Sequence, residues 1–542
     1  MTGLVFEEQS APVASAPNRV DIACFVGFVR RRQGVAVPAA IKRWLCHEGW
    51  TACDPGREGD QERALPHARP IGEVEDLLDL PVPVESWDAF DSLFAWEQRP
   101  FNGRGQRGTS YLGAAVRSFF AQGGRKCYVV RVGDPWEYTA GRAERVAQIS
   151  RLIPGFPGIT AVSLVDRRSW RGVGHIFGLP DVSFLCLPDL VDAVRVERVE
   201  TLPSVEVPTS PERFVECSDE EPYTEPPDDI VRRLRAPRCD DQGYHEWARA
   251  LRLVASLISR HCREVHLVAA VPIPYTPATS QETLEDPGRD LMDSLTEREN
   301  GPLAYSLDQR PTGLASAFVQ LAYPWVRTGG SSILPEAIES PDAVLTGILA
   351  RNALTRGTYN SAAGLRLADV YEVYPVQRRD HMLRPRPDYP EAGTSHSLLE
   401  RVSLFGPTPD GLRLLSDVTT TFDESYRPAS VNRLVASVLR AARRLGEDSV
   451  FESSGQRLWG RLKEHLDGLL LRLYQAGALK GASPVEAFSV RCDRTTMTQN
   501  DIDSGRIIAR VMLNPSAPID GITVAMALSG GGQVPLLPLE QR

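Results

Sequence analysis

The sequence predicts a multi-domain protein of mixed α/β (α+β) class, and three observations predict it. Continuous apolar runs of strand length, such as residues 22–29 (IACFVGFV) and 127–132 (CYVVRV), alternate with segments of helical apolar spacing. Near the C-terminus, two long amphipathic helices are followed by three strand-like runs. The 542 residues are enough for two or three domains, each with a sizeable buried core.

Composition narrows the function classes. A hydrophobic fraction of 42% and a charged fraction of 24% are those of an ordinary soluble globular protein. With 61 Lys+Arg against 70 Asp+Glu the net charge is -9, so there is no electrostatic reason to expect nucleic acid as the main partner. The opening MTGLVFEEQ is acidic where a signal peptide needs positive charge. The densest early apolar run, Ile22 to Val29, is far shorter than the roughly 18 residues of a membrane helix. A cytoplasmic protein is expected, neither secreted by the general pathway nor inserted in a membrane. The nine cysteines (Cys24, Cys46, Cys53, Cys127, Cys186, Cys217, Cys239, Cys262 and Cys492) include no C-x-x-C pair. They are expected to be reduced thiols acting as small core hydrophobes, without a disulfide framework or zinc finger.

Taken in order, Gly3 to Glu8 is a short extended segment on a Ser/Ala/Pro-rich tether at 10–17, which either frays or pairs with another sheet. Ile22 to Val29 suits a strand buried on both faces. After a Pro-rich charged loop, Ser86 is a candidate N-cap for a helix over Trp87 to Trp96, with Phe90 and Leu93 on one face. Ser110 opens a second helix carrying Leu112, Val116, Phe119 and Phe120, which Gly123 and Gly124 stop. Cys127 to Val132, Ile159 to Val165, Val182 to Leu187 and Val265 to Val271 read as strands. Tyr244 to Cys262 reads as a helix with Leu251, Val254, Ala255 and Ile258 on one side. Residues 197–229, rich in Glu, Asp and Pro, read as a surface insertion.

In the last quarter, Ser430 precedes a helix with Leu434, Val435, Val438, Leu439 and Ala442 on one face, ended near Gly446. A second helix spans Gln456 to Gln475, carrying Leu458, Trp459, Leu462, Leu466, Leu469, Leu470 and Leu473, with Gly477 as its C-cap. Strands are expected at Ala487 to Cys492, Arg506 to Leu513 and Ile522 to Leu528.

Motifs that carry chemistry elsewhere are weak here. Gly103, Gly105 and Gly108 form a G-x-G-x-x-G before a helix, but a dinucleotide site also needs a strand immediately ahead of it. Leu528 to Gln533 (LSGGGQ) stands without any phosphate-binding G-x-x-x-x-G-K-[ST]. His245, His261 and His266 lack a carboxylate or Cys at ligand spacing. Asp493, Asp501 and Asp503 suit turn capping better than calcium, since the glycine and terminal Glu of a calcium loop are missing. No G-x-S-x-G is present, and nothing nominates a catalytic set. Neither a cofactor nor a metal is expected.

One stretch is more specific. Residues 457–503, containing LWGRLKEHLDGLLLRLYQAGALKGASPVEAFSVRCDRTTMTQNDID, closely resemble the C-terminal domain of contractile tail sheath proteins, which include the sheaths of phage tails, pyocins and extracellular contractile injection systems. SWDAFDSLF and YLGAAVRSFFAQGGRKCYVVRV form a second match. GLVFEE resembles the family's G-V-Y-V-E-E opening, and AYPWV, ARNALTRG and 360–363 match its landmarks more loosely. Residues 377–417 depart from the pattern, with a longer Arg/Pro-rich loop before LRLLSDVTT.

The resemblance implies a tail-sheath fold in four parts: an N-terminal arm at 1–20, an outer α/β domain at 21–415 with insertions near 197–229 and 377–410, an inner tube-facing α+β domain at 416–528, and a tail at 529–542. It implies a structural subunit without an active site, which polymerises helically around an inner tube protein and drives ejection by switching from extended to contracted packing. Its partners would be copies of itself, the inner tube, and baseplate and cap proteins, assembled in the cytoplasm into a phage tail or tail-like particle that can be released outside the cell. In such sheaths, arms from two neighbours add strands to a third subunit's C-terminal sheet. The matching residues are Leu4, Val5 and Phe6 in the N-terminal arm and Ile522, Val524, Met526 and Leu528 in the C-terminal strand, with Lys480 as a candidate tube contact. Two alternatives stay open: a low-copy sheath paralogue at the baseplate or cap end, and an α/β enzyme with an unrecognised site.

Overall fold

The computed structural model describes residues 20–53, 71–102, 107–159, 162–197, 231, 234–275, 314–377, 382, 397–449, 452, 455–504, 506–516 and 522–528. Its strands of the two main sheets are β1 (Ala23–Phe28), β2 (Pro81–Val84), β3 (Cys127–Gly133), β4 (Phe184–Cys186), β5 (His266–Ala270), β6 (Val319–Tyr323), β7 (Ser403–Thr408), β8 (Gly411–Leu414), β9 (Phe488–Arg491), β10 (Ile507–Leu513) and β11 (Ile522–Leu528). The longer helices are α1 (Ala39–His47), α2 (Trp87–Leu93), α3 (Tyr111–Ala121), α4 (Asp241–His261), α5 (Asp342–Thr355), α6 (Ala429–Glu447) and α7 (Gln456–Gln475).

An eight-stranded sheet runs in the order β8-β7-β6-β5-β4-β1-β3-β2. The six strands from β7 to β3 pair in parallel, while β2 and β8 close the two edges antiparallel. The chain lays β3 on one side of β1 and then crosses to β4 on the other, so the strand order reverses between β1 and β4. That is the topological switch point of a doubly wound sheet. All six residues of β1 are buried, as its unbroken apolar run requires of a central parallel strand.

Local chemistry sets the helix starts. The Ser86 side chain accepts the Ala89 N–H, the Ser110 side chain accepts that of Gly113, and Asp240 accepts that of Gly243. Helices α3 and α5 pack side by side and both touch the sheet, and α4 packs on β5. The residues of α5 from Asp342 to Ala350 are all buried, so its sequence lacks a clear polar face. One apolar cluster runs from Ile22 to Leu414 and a second from Val431 to Leu513.

Four sequence expectations need correction. Ile159 to Val165 is not a strand among its described residues: Ile159 is 89% and Val165 81% exposed. There the Ser163 side chain accepts the Val165 and Asp166 N–H groups and Asp166 caps a short 3-10 turn, so local side-chain bonds outcompete a ladder. Cys46 and Cys53 form a disulfide, because the turn after α1 returns Trp50 N–H to Leu45 O at 2.8 Å and brings the two Cα atoms to 5.2 Å. Cys24, Cys127, Cys186, Cys239, Cys262 and Cys492 are free and buried, and Cys217 lies outside the described residues. Helix α2 ends at Leu93, where Phe94 turns extended to join a short ladder. Helix α6 begins at Ala429, so Ser430 lies inside its first turn.

Candidate functional site

The C-terminal unit is built from α6, α7 and a three-stranded sheet in the order β9-β10-β11. Leu458, Trp459, Leu462, Leu466 and Leu470 make the buried stripe of α7, and Gly477 follows its end at φ +79°, a conformation that favours glycine. Strand β10 is the middle of the sheet. It pairs antiparallel with β9 from Phe488–Leu513 to Arg491–Arg510, and with β11 from Ile507–Leu528 to Leu513–Ile522. Among the described residues the sheet ends at β9 on one side and at β11 on the other.

Ile522, Val524, Met526 and Leu528 therefore lie on β11, in register with Leu513, Val511, Ala509 and Ile507 of the same chain. Leu4, Val5 and Phe6 lie outside the described residues, as do residues 198–230, which hold nearly all of the expected insertion. Lys480 is exposed in the loop after α7, its backbone N–H donating to Asn514 O at 2.8 Å. In the nearby loop, Asp493 accepts the Thr495 N–H at 2.7 Å, and Thr498 and Asp501 form a reciprocal capping box. Hydrogen bonds to Thr495 hold the exposed Asp493 carboxyl below the usual range.

Helix α6 ties this unit to the large sheet at the amino ends of its parallel strands. The Arg433 guanidinium forks onto Asp417, at 2.9 Å to Oδ1 and 2.6 Å to Oδ2. Asp417 also accepts Gln320 Nε2 from β6 and the Ala362 N–H. Burial works against the Asp417 charge, yet Arg433 and these donors hold its pKa below the ordinary value. One turn pair further on, Arg440 donates to Ser183 Oγ at 2.8 Å and to Val182 O at 2.7 Å, both just ahead of β4. Arg443 pairs with Glu264, just ahead of β5.

The carboxyl ends hold a different cluster, assembled from distant parts of the chain. Arg99, fully buried, donates to Asp192 Oδ2 at 2.6 Å and to Trp136 O at 3.0 Å, and lies 3.9 Å from the Tyr138 ring centroid. Trp136 Nε1 and Arg195 also donate to Asp192. Burial opposes ionisation of Asp192, but Arg99, Arg195 and Arg145 hold its pKa below the usual carboxylate value. Asp189 accepts the Phe28 N–H at 2.7 Å. Burial pushes its pKa up to about 7, against the opposing pull of that hydrogen bond and of Arg99.

The remaining sequence candidates do not converge. Gly108 sits in a two-residue ladder with Arg99, and Gly103 and Gly105 lie outside the described residues, as does the LSGGGQ run after Leu528. His266 is buried on β5, whereas His261 ends α4 with its ring 6.0 Å from that of Phe177. Among the described residues, no three His, Cys, Asp or Glu side chains come together as a metal site, and no helix is long and apolar enough to cross a membrane. Sequence reasoning missed the Arg99–Asp192 and Arg433–Asp417 pairs. The available signal was charge inside otherwise apolar contexts, as in LCLPDLVDAV.

No family model and no curated protein matches the chain. Solved structures do. A chain of the anti-feeding prophage baseplate in the contracted state is 18% identical, with 96% of each chain covered and a TM-score of 0.52. A chain of the six-fold symmetrised baseplate of the same particle is 17% identical over 96% of each chain, with a TM-score of 0.50. The helical sheath of that particle in its contracted state is similar at 17% identity over 96% of each chain, with a TM-score of 0.48. At these identities the likeness is one of fold, which the chain shares along nearly its whole length with these chains of the anti-feeding prophage baseplate.

Proposed function

We propose that this protein is a structural subunit of a contractile sheath, polymerising helically around an inner tube and driving the tube out by changing from extended to contracted packing. It acts without an active site and without a cofactor. The observation that carries the reading is the C-terminal sheet, whose last strand, β11, follows β10 through a connection of only eight residues, 514–521, and lies at the sheet's edge. A strand in that position can leave its own β10 and complete the same edge in a neighbour with an identical register. Main-chain hydrogen bonds then supply the affinity and the alternating side chains the register. Leu4, Val5 and Phe6 are proposed to add a further strand from another neighbour. Links of this kind are head-to-tail, and they build open helical tubes.

In this reading residues 21–415 form the outer domain and 416–528 the inner one, with Lys480 towards the tube; the separation of the two apolar clusters supports the division. Assembly takes place in the cytoplasm, with baseplate and cap proteins as end partners. A second reading, a low-copy sheath paralogue at the baseplate end, is favoured by the likeness to chains from two baseplate assemblies.

Negative-stain electron microscopy of the purified chain, with and without residues 1–17, tests the proposal. Tubes or stacked rings that vanish on deletion are expected of a main sheath. Small uniform particles in both samples would reject it and favour the baseplate paralogue.

A further inference from the structure

In doubly wound sheets, a ligand's anionic group sits outside the carboxyl ends of the strands at the switch point, held by backbone N–H groups and a helix N-terminus. Here the switch point lies between β1 and β4. Asp189, just past the end of β4, reaches back across it. Its Oδ2 accepts the Phe28 N–H at the end of β1 at 2.7 Å, and Leu112 at the start of α3 packs beside the same carboxylate against Gly27.

Leu112 is the second residue of α3, so its N–H is one of the donors that a helix leaves without an internal partner. The next, that of Gly113, is taken by Ser110 Oγ. A Cβ on Gly27 would collide with Asp189 Oδ2, so the glycine is what lets the carboxylate reach the strand. Asp189 and the Arg99–Asp192 pair beside it are buried, and the Trp136 and Tyr138 rings lie against the Arg99 guanidinium.

We infer that the switch point of the large sheet is an anion site filled from within, where the Asp189 side chain stands in the position of a small carboxylate or phosphate ligand. The G-x-G-x-x-G ahead of α3 thus leads to a helix N-terminus that the chain itself occupies. The crevice that makes other doubly wound proteins into binding proteins is here part of the scaffold, whether or not the chain is a sheath subunit. Deleting the Asp189 side chain should turn it into a receptor for a free carboxylate.

The test uses the full chain carrying Asp189→Ala, with thermal unfolding followed at pH 8 during titration with sodium formate and, separately, sodium chloride. The variant should melt below the wild type, and formate should raise its Tm by several degrees in a saturable way that chloride does not reproduce. Wild type and Asp189→Asn, whose crevice stays filled, should not respond. Equal effects of formate and chloride on Asp189→Ala, or an equal formate response in Asp189→Asn, would overturn the inference. Gly27→Ala gives a second readout by amide hydrogen exchange: displacing the carboxylate should speed exchange at Phe28 at least tenfold relative to Gly113. An unchanged ratio would contradict it.

Discussion

The two ends of the eight-stranded sheet differ in what their charged residues do. At the carboxyl ends, Arg99, Asp189 and Asp192 satisfy one another and nearby backbone groups, and the cluster closes on itself. At the amino ends, Arg433, Arg440 and Arg443 all come from α6, and the charges join two units with separate apolar cores. The lesson is that fold alone does not locate function. The end where a doubly wound sheet usually takes a ligand is sealed, and the usually quiet end carries the connection to the C-terminal unit.

The largest effect is expected where the two units meet. Asp417→Ala leaves Arg433 buried without its partner, and should cost about 3–5 kcal/mol in urea unfolding. If the connection is the weak point, hydrogen exchange in α6 and α7 should accelerate before that in β1. Uniform acceleration would instead make the molecule one cooperative block.

At the sealed end, Asp192→Asn keeps the volume and removes the charge. Weakened charge-assisted bonds to Arg99, Arg195 and Trp136 should cost about 1–3 kcal/mol, with the C-terminal unit unaffected. A loss as large as that of Asp417→Ala, extending to α7, would erase the contrast between the two ends.

A smaller effect should appear with pH. Burial pushes Glu339 up to about 8 despite hydrogen bonds from Ser118 and Thr328, with nearby Asp369 adding to the rise and Arg117 opposing it. Asp189 is pushed to about 7. Both folded values exceed the ordinary carboxylate value, so the folded state holds more protons than the unfolded chain. These two groups therefore favour folding at low pH, and that contribution is lost as pH rises from about 4 to about 8. Asp192 and Asp417 have the opposite sign, their contribution being lost as pH falls below about 4. Glu339→Gln should flatten the fall in Tm between pH 5 and 8; an unchanged slope would remove Glu339 from the account.

How much of this could be read from the sequence depended on the range of the interactions. Ser86, Ser110 and Gly477 act within a few residues, so caps and stops were legible, and the α7 stripe gave its bounds of Gln456–Gln475 directly. The central strands were legible because burial on both faces demands a continuous apolar run. Arg99 and Asp192 stand 93 positions apart, and no local pattern links them. Arg433 and Arg440 fall outside the apolar face that Leu434, Val435, Val438, Leu439 and Ala442 define, and the sequence does not say that α6 is covered on a second face. Ile159 to Val165 had the composition of a strand, but no partner strand pairs with it among the described residues.

The central claim is that β11 changes chains on assembly, and a cross-link tests it most directly. Val511 of β10 and Val524 of β11 face each other in register. One preparation would carry Val511→Cys and another Val524→Cys, mixed before assembly and oxidised afterwards. Disulfide-linked dimers that appear only in the assembled mixture are the predicted result. Tubes that form without such dimers, while the double variant closes its disulfide within a single chain, would contradict strand exchange through β11.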